Sequence, residues 1–308
     1  FTYASADVYP LSARIRTDGI SKFGNDGREG WCTAGSVGWR VTEEPFMKNV
    51  KNLKWLDQLK LRTSYGVTGT NDIVNYANTD KLQSAPYILG TGSGTVTPGM
   101  ANNSTTLGNP TLQWEQTNEY NAGVDLSVLN NRVGFTFDYY YSTTRKLLFK
   151  KSVSSITGYL DAWSNEGKVR NRGIEIELTT YNIQNKVFNW NTSFNFSTNS
   201  NKLIDVGGPS QLISQGERNE MYVAKVGGPA IQFYGFKTIG IWNSQEELDN
   251  NAHHNSDAPG GLRVQNTNGD GVIDDNDMVP LGDPFPDFTW GITNNVTYKG
   301  FDLSVLVQ

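Results

Sequence analysis

The sequence predicts an all-β fold, an antiparallel up-and-down transmembrane β-barrel to which its 308 residues contribute one part. The first observation is the stretch 123–141, where apolar and polar residues alternate on both arms of a predicted hairpin. Asn130 and Asn131, between the arms, tolerate the left-handed backbone of a tight turn. The apolar face ends in Tyr139 and Tyr141, which is typical of a strand that crosses from lipid to water.

The second observation is the length of the connections, because short turns alternate with long polar loops along the chain. Outer-membrane barrels have short turns at the periplasmic end and long loops at the extracellular end. A large soluble β-sandwich rarely sorts its loops so strictly, and a propeller would repeat with a period of about 40 residues, which this sequence does not show. The short connections are 130–131, 182–186 and 299–300, and the long ones are 18–30, 68–110, 150–164 and 203–286.

The first three strands rest on the same period of two. In the strand 9–16, Leu, Ala and Ile alternate with Ser and Arg, and the strand 31–41 follows after a polar, glycine-rich loop. Pro45 breaks the alternation, because proline cannot donate to a strand ladder. Residues 46–56 then have room for a short helical turn before the strand 59–67.

The later strands are separated by longer excursions. The stretch 68–110 is rich in Gly, Asn, Thr and Ser, and a loop of this length is usually functional when it is ordered. With the first three strands, the later ones give about eight or nine strands, which form part of a transmembrane barrel. The later strands are 112–129, 133–149, 167–180, 188–198, 287–298 and 301–308.

Charged residues within the strands identify the predicted lumen face. Arg14, Arg62, Glu175 and Glu177 lie opposite the apolar residues of their strands. Because a charge on the lipid face costs about 2–4 kcal/mol at mid-bilayer, we expect these four residues to face the lumen. Glu175 and Glu177 also suggest the carboxylate pair of a glycosidase, but their position two residues apart on one strand face favours lumen lining.

Composition limits the classes of function. The chain is 37% hydrophobic and 12% aromatic, and no run of about 18 apolar residues predicts a transmembrane helix. A net charge of −5 without a basic cluster argues against nucleic acid as a partner. Cys32 is the only cysteine, which excludes an internal disulfide and a thiolate metal site, and two histidines argue against a zinc or His-based catalytic centre. No catalytic residues are predicted, so we expect no enzyme activity.

Both ends of the sequence fall within strand-like segments. Phe1 does not begin a signal peptide, and the alternation in 301–308 continues to the last residue. We therefore expect an internal piece of a longer protein.

Several short motifs occur in an order that resembles one known family. They are Arg16-Thr-Asp-Gly19 with Lys22-Phe-Gly24, Gly38-Trp-Arg40 with Glu43-Glu-Pro-Phe46, Leu61-Arg-Thr-Ser-Tyr-Gly66 with Gly69-Thr-Asn71, Leu112-Gln-Trp-Glu115, Tyr139-Tyr-Tyr141 with Lys146-Leu-Leu148, Gly167-Lys-Val with Asn171-Arg-Gly-Ile-Glu175, Gly227-Gly-Pro229, Asn268-Gly-Asp-Gly-Val-Ile-Asp274, Gly282-Asp-Pro-Phe-Pro286 and Tyr298-Lys-Gly-Phe-Asp302. In this order they resemble the later part of the barrel in SusC/RagA-type TonB-dependent outer-membrane transporters of Bacteroidetes.

The resemblance covers essentially the whole chain and carries several implications. Residues 1–308 would belong to the C-terminal barrel domain, in the outer membrane with extracellular loops. The complete barrel would have about 22 strands around a plug. It would import glycan or peptide fragments, with energy supplied through TonB and a SusD-like lipoprotein as the lid. The plug domain, the TonB-box segment and the closing strands are absent from this sequence, and Ile20 replaces a serine of the family signature.

A calcium-type loop is predicted at 266–277. Its spacing matches the twelve-position EF-hand loop, with oxygen donors at positions 1, 3, 5, 9 and 12, glycine at position 6 and a main-chain carbonyl at position 7. Asparagine at position 1 and the short aspartate at position 12 predict weak, structural binding of Ca²⁺, and a solvated Asx-Gly turn is the alternative. The predicted ligands are Asn266, Asn268, Asp270, Val272, Asp274 and Asp277.

Aromatic residues in the long loops are candidates for stacking on a substrate or anchoring a partner, with packing of loop on loop as the alternative. A pair of histidines, His253 and His254, also lies in a polar loop, where a solvated pair is favoured over a metal site. The aromatic candidates are Tyr76, Tyr87, Tyr159, Trp163, Tyr234 and Trp242.

The sequence therefore favours a transporter that acts by binding and gated passage rather than by covalent chemistry. The alternative is a secreted or surface-bound β-rich glycan-binding protein with a dockerin-like calcium loop. A glycoside hydrolase is a third class, for which the sequence offers no credible acid–base pair.

Overall fold

The computed structural model describes residues 1–5, 8–50, 53–80, 82–84, 86–89, 95–97, 100–102, 106–208, 210–218 and 220–308. The chain forms two compact units, one of residues 1–200 with 287–308 and the other of residues 201–286. Its strands are, in chain order, β1 (Thr2–Ser5), β2 (Tyr9–Gly19), β3 (Glu29–Arg40), β4 (Leu56–Thr70), β5 (Leu82–Ser84), β6 (Tyr87–Leu89), β7 (Thr95–Thr97), β8 (Met100–Asn102), β9 (Thr106–Leu107), β10 (Glu115–Val128), β11 (Val133–Arg145), β12 (Leu148–Ser152), β13 (Asp161–Asn165), β14 (Lys168–Gln184), β15 (Phe188–Asp205), β16 (Gln211–Gln215), β17 (Met221–Lys225), β18 (Gln232–Gly235), β19 (Thr238–Ile241), β20 (Leu262–Val264), β21 (Val279–Gly282), β22 (Thr289–Tyr298) and β23 (Phe301–Val307).

Helices are short in the described part of the chain. The α-helices there are α1 (Pro45–Lys48) and α2 (Gln245–Asp249), and 3-10 turns occur at Asn25–Gly27, Val41–Glu43, Ser155–Thr157 and Asp275–Asp277. Among the described residues, no helix has the length and apolar character needed to cross a membrane.

The first unit contains a ten-stranded sheet in the order β1-β2-β3-β4-β10-β11-β14-β15-β22-β23. Strands that follow one another along the chain therefore lie side by side, apart from the small strands inserted in the long loops. The registers from β1 to β14 and from β15 to β23 are antiparallel. This is the up-and-down topology that the sequence predicts.

The nine strands predicted from the alternation are confirmed as β2, β3, β4, β10, β11, β14, β15, β22 and β23, and β1 is the tenth. The second arm of the opening hairpin ends at Arg145 rather than at residue 149, because Lys146 has a left-handed backbone with φ 55°. The hairpin turn uses three left-handed residues, Leu129, Asn130 and Asn131, with φ of 60°, 58° and 59°.

The second unit has more regular structure than the sequence predicts for 203–286. It contains the four-stranded sheet β16-β17-β18-β21 and the hairpin of β19 and β20. Its buried side chains include Val223, Trp242, Leu248 and Ile273. All six of these strands have five residues or fewer, which is too short for a period of two to stand out in the sequence.

A hydrophobic cluster lies under the long loops of the first unit, at the end of the sheet where β4 finishes and β10 begins. It consists of Phe23, Ile73, Ala77, Leu112 and Trp114. The rings of Phe23 and Trp114 meet edge to face with their centroids 6.0 Å apart. Two of the motifs that carry the family resemblance, Lys22-Phe-Gly24 and Leu112-Gln-Trp-Glu115, therefore supply packing partners for one another.

Candidate functional site

A charged network crosses the polar face of the ten-stranded sheet. Arg62 on β4 donates from Nε to Asp125 Oδ1 on β10 at 3.0 Å and from Nη2 to Asp138 Oδ2 on β11 at 2.5 Å. Lys60 Nζ lies 3.5 Å from Asp125 Oδ2. The guanidinium reaches two strands away because it crosses Gly123, where a Cβ would lie 2.8 Å from Arg62 Cζ and 2.6 Å from Asp138 Oδ1.

Acidic residues continue this face onto β14. Glu175 is paired in register with Asp138, and Glu177 with Thr136, and all four line a cavity of about 270 Å³. Asp138 Oδ1 is buried and has no hydrogen-bond partner in the described part of the chain. The predicted placement of the strand charges on one face is confirmed for Arg62, Glu175 and Glu177.

A cleft among the long loops brings two of the predicted aromatic residues together. Tyr76 and Trp163 line a cavity of about 240 Å³ with Lys150 and Thr106. The Tyr76 side chain is 69% exposed, and its backbone is left-handed with φ 61°. Lys150 Nζ lies 5.9 Å from the centroid of the Trp163 ring and 3.5 Å from Asp161 Oδ2.

The cleft is held by the packing beneath it. Trp163 packs against the hydrophobic cluster of Phe23 and Trp114, and its main-chain oxygen accepts a hydrogen bond from Asn109 Nδ2 at 2.9 Å. Lys150 is the residue opposite Trp163 in the pairing of β12 with β13. Aromatic faces beside an ammonium and a carboxylate suit the binding of a ligand with both ring or apolar surface and polar groups.

The other aromatic candidates lie elsewhere. Tyr159 and Tyr234 are half-buried, and the side chain of Tyr87 lies outside the described residues. For Trp242 the predicted binding role is wrong, because this residue is only 1% exposed and cannot offer its ring face to a ligand. The centroid of its ring lies 4.9 Å from Arg263 Cζ, and its Nε1 donates to Asp257 Oδ2 at 3.3 Å.

The loop 266–277 is organised by side-chain oxygens that accept hydrogen bonds from the main chain. Asn266 Oδ1 accepts from the Gly269 amide at 2.6 Å, Asn268 Oδ1 accepts from the amide of Asp270 at 3.0 Å, and Asp270 Oδ1 accepts from the amide two residues later at 2.9 Å. Gly269 and Gly271 have φ of 77° and 86°, so glycine is needed at both positions.

Asp277 closes this loop and is fully buried. Its Oδ1 accepts from the Thr267 amide at 2.7 Å, and its Oδ2 accepts from the Asp274 amide at 3.0 Å. Hydrogen bonds from the amides of Asp274, Thr267 and Asn268 hold the pKa of Asp277 below its usual value, against the opposing effect of desolvation. The described residues contain no group of three or more His, Cys, Asp or Glu side chains placed to hold a metal ion.

The histidine pair lies in the second unit. His253 Nδ1 is 2.9 Å from the Asn251 oxygen, and His254 Nδ1 is 2.8 Å from Ser256 Oγ, so one nitrogen of each ring is engaged by its own loop. His254 also lines a cavity of about 550 Å³.

Sequence reasoning did not identify Lys150, Asp161 or the pairing of Arg62 with Asp125 and Asp138. The sequence shows that these residues are charged, but it does not show which charged residues pair, because the partners lie on different strands. For the pairing of Lys150 with Trp163 no signal was available, because the five-residue strands β12 and β13 lie in a region predicted to be mainly loop.

Comparison with known proteins gives consistent matches. The family model described as "TonB dependent receptor-like, beta-barrel" matches residues 3–218. The chain is 34% identical over 316 residues to TonB-dependent receptor P26 of Formosa agariphila, covering 99% of this chain and 30% of that protein. It is 29% identical over 319 residues to TonB-dependent receptor SusC of Bacteroides thetaiotaomicron, covering 98% and 29% of the two chains.

Among solved structures, the RagAB peptide importer in its closed-closed state superposes with a TM-score of 0.79 at 23% identity. That match covers 99% of this chain and 32% of the other. The chain thus spans about 30% of the length of the curated relatives that it matches.

Proposed function

This chain belongs to the TonB dependent receptor-like, beta-barrel family and is part of an outer-membrane β-barrel, and from that premise we propose that the whole protein is a SusC-like nutrient importer. The observation that carries the proposal is the two-sided sheet. One face presents Leu61, Val124, Phe137 and Ile176 in a row, suited to lipid, and the other presents the charged network, suited to a water-filled lumen. The protein acts by binding and gated passage, without covalent chemistry on its substrate.

We propose the loop cleft of Tyr76, Trp163 and Lys150 as a binding surface for the imported molecule, a glycan or peptide fragment. A sugar ring or an aromatic side chain would stack on the two aromatic residues. Lys150 and Asp161 would meet a carboxylate, an amine or hydroxyl groups at the edge of the cleft.

The proposed partners are a SusD-like surface lipoprotein, which would cover the extracellular loops, and the TonB complex, which would supply energy. The names of the relatives, TonB-dependent receptors and one RagAB importer, support this assembly.

The experiment that tests the function is detergent extraction of outer membranes from the source organism, followed by identification of the chains that co-purify. We expect the full-length protein in the detergent fraction together with a lipoprotein, and loss of growth on one class of oligosaccharide or peptide when its gene is deleted. Recovery in the soluble fraction without a partner would contradict the proposal and favour a secreted glycan-binding protein.

We also propose that the loop 266–277 holds a structural Ca²⁺ ion. The donor set fits this ion, because it consists of oxygen atoms only. Asn266 Oδ1, Asn268 Oδ1 and Asp270 Oδ1 each accept one amide hydrogen and retain a second lone pair for a cation. The proposed ligand set also includes the Val272 carbonyl, Asp274 and Asp277, although Asp277 already accepts hydrogen bonds on both of its oxygens.

With few charged donors, we expect weak binding, with a Kd of about 10⁻⁴–10⁻³ M. The measurement is protease sensitivity of the loop in the full-length protein, with Ca²⁺ and after chelation. Faster cleavage within 266–277 after chelation, reversed by added Ca²⁺ but not by Mg²⁺, is the expected result. An unchanged cleavage rate would contradict the proposal that this loop binds Ca²⁺.

A further inference from the structure

Four cationic residues lie together on the lipid-side face of the sheet. They are Arg145 on β11 and Lys168, Arg170 and Arg172 on β14. In a strand, every second side chain is on the same face. Lys168, Arg170 and Arg172 therefore share the face of Ile176, and Arg145 shares the face of Phe137, opposite to the charged network. We call these four residues the outer basic cluster.

The depth of the cluster is set by a row of tyrosines. One row of directly paired residues crosses four neighbouring strands. It consists of Tyr65 on β4, Tyr120 on β10, Tyr141 on β11 and Arg172 on β14. The rings of Tyr65 and Tyr120 lie with centroids 6.1 Å apart. Such an aromatic row marks the membrane–water interface of a β-barrel. It lies toward the strand ends that carry the long loops, so it marks the extracellular interface.

The rest of the cluster lies on the loop side of this row, at the level of the lipid headgroups. Two residues further along the strands, Arg170 is paired with Thr143. Two residues beyond that pair, Arg145 is paired with Lys168. Two like charges directly opposite each other destabilise a sheet unless something compensates them. The pair of Arg145 and Lys168 therefore lies four residues, or about 13 Å along the strand, beyond the tyrosines.

Among the described residues, no carboxylate lies on the lipid-side face of β4, β10, β11 or β14 from the tyrosine row outward. From the tyrosine row outward, the lipid-side positions of β4 and β10 hold only uncharged residues. None of the four cations is in an ion pair within the described residues, and the nearby Glu166 is bound to Lys151 Nζ at 2.8 Å. The residues paired with Arg170 and Arg172 on β11 are Thr143 and Tyr141, and neither carries a carboxylate.

We propose that the outer basic cluster binds phosphate groups of anionic lipids in the outer leaflet of the membrane. The guanidinium fork matches phosphate in a bidentate manner, and the interface depth places the three arginines where headgroup phosphates lie. Charge complementarity supports this occupant, because no carboxylate of the described residues pairs with these four cations, whereas a lipid phosphate would. The inference rests on the barrel fold and not on what the barrel imports.

The test uses the full-length protein reconstituted in phosphatidylcholine nanodiscs with and without a diphosphorylated lipid A. The variant is Arg145→Gln/Arg170→Gln/Arg172→Gln. Its control, Lys54→Gln/Lys186→Gln/Lys299→Asn, removes the same number of charges at the other end of the strands, with asparagine at position 299 because the backbone there is left-handed with φ 46°. Bound lipid A per protein is measured by native mass spectrometry across a titration.

We expect wild type and the control to retain lipid A and the arginine variant to bind it about 100-fold more weakly, from roughly a fivefold loss for each of the three charges removed. Added salt should weaken wild-type binding. A charge-retaining variant, Arg145→Lys/Arg170→Lys/Arg172→Lys, should bind within about tenfold of wild type, which covers the case in which the glutamine variant fails to fold.

Equal retention by the arginine variant and the control would overturn the proposal, as would wild-type binding that is unaffected by salt or by removal of the lipid phosphates. Loss of the co-purifying lipoprotein with unchanged lipid binding would assign the cluster to a protein contact instead. Import activity is measured in parallel, so that failure of the lipid site and failure of the import function are distinguished.

Discussion

At the residue scale, the charged network depends on a position that has no side chain. Arg62 connects Asp125 and Asp138 across three strands, and its guanidinium occupies the space above Gly123. Arg62 is 30% exposed and Asp138 is 13% exposed, so the ion pair is only partly desolvated and its Coulomb energy is partly screened. A substitution of Gly123 is therefore a clearer test of the network than the removal of one of its charges.

The substitution Gly123→Ala should disrupt the network. The new Cβ would lie 2.6 Å from Asp138 Oδ1 and 2.8 Å from Arg62 Cζ, so the ion pair would have to move. We expect a destabilisation of about 1–3 kcal/mol, as for other overpacked sites. Gly134→Ala is the matched control, because it lies in the same hairpin and its Cβ would approach nothing closer than 4.0 Å. Thermal unfolding of the full-length barrel in detergent measures both, and equal melting temperatures would contradict the role given to Gly123.

At the element scale, the length of a strand decides whether the sequence predicts it. The hairpin of β10 and β11 was predictable because thirteen or more residues per strand repeat the period of two. The strands β12 and β13 were not, because five residues cannot establish a period. Tyr76 and Trp163 could be chosen as candidates from residue type alone, but the same reasoning chose the buried Trp242.

The loop cleft gives the next prediction, the variant Tyr76→Asn. Asparagine tolerates the left-handed backbone at this position, and the exposed tyrosine ring contributes little to folding. We expect the variant to fold normally and to bind the imported molecule about 5- to 30-fold more weakly, because a stacking face worth about 1–2 kcal/mol is lost. Ile156→Asn, at a loop residue that is 93% exposed, is the control. Isothermal titration with the purified substrate measures both, and identical affinities would remove Tyr76 from the binding surface.

The loop 266–277 gives a prediction about pH. Because the pKa of Asp277 is lowered in the folded protein, its stabilising effect is complete above the unfolded value of about 3.9 and is lost as the pH falls through the lower, folded value. Asp277→Asn should therefore increase hydrogen exchange of the loop amides at neutral pH, and the difference from wild type should vanish in acid well below pH 4. Asp275→Asn, exposed in the same turn, is the control and should behave as wild type at every pH. A difference that persists in acid would show that the carboxylate charge is not the cause.

At the scale of the whole molecule, a period of two was sufficient to predict the order of the strands and the side of the sheet on which each charge lies. It could not predict the contacts of Arg62, because they depend on the register of β4 against β10 and β11, and register is set by three-dimensional pairing rather than by pattern. The second unit was predicted as loop, since its short strands are stabilised by tertiary packing around Trp242 and Leu248.

The sidedness of the sheet is tested by one substitution on each face of β11. Phe137 is in the apolar row, and the adjacent Thr136 is on the polar face, in register with Asp125 and Glu177. An arginine at position 137 would place a charge in lipid, at a cost of about 2–4 kcal/mol near mid-bilayer. An arginine at position 136 would lie between two carboxylates and should be tolerated. We therefore expect Phe137→Arg to reduce the amount of heat-modifiable, folded barrel in the outer membrane, while Thr136→Arg leaves it near the wild-type amount. The reverse order would place lipid on the charged side and would be incompatible with this barrel.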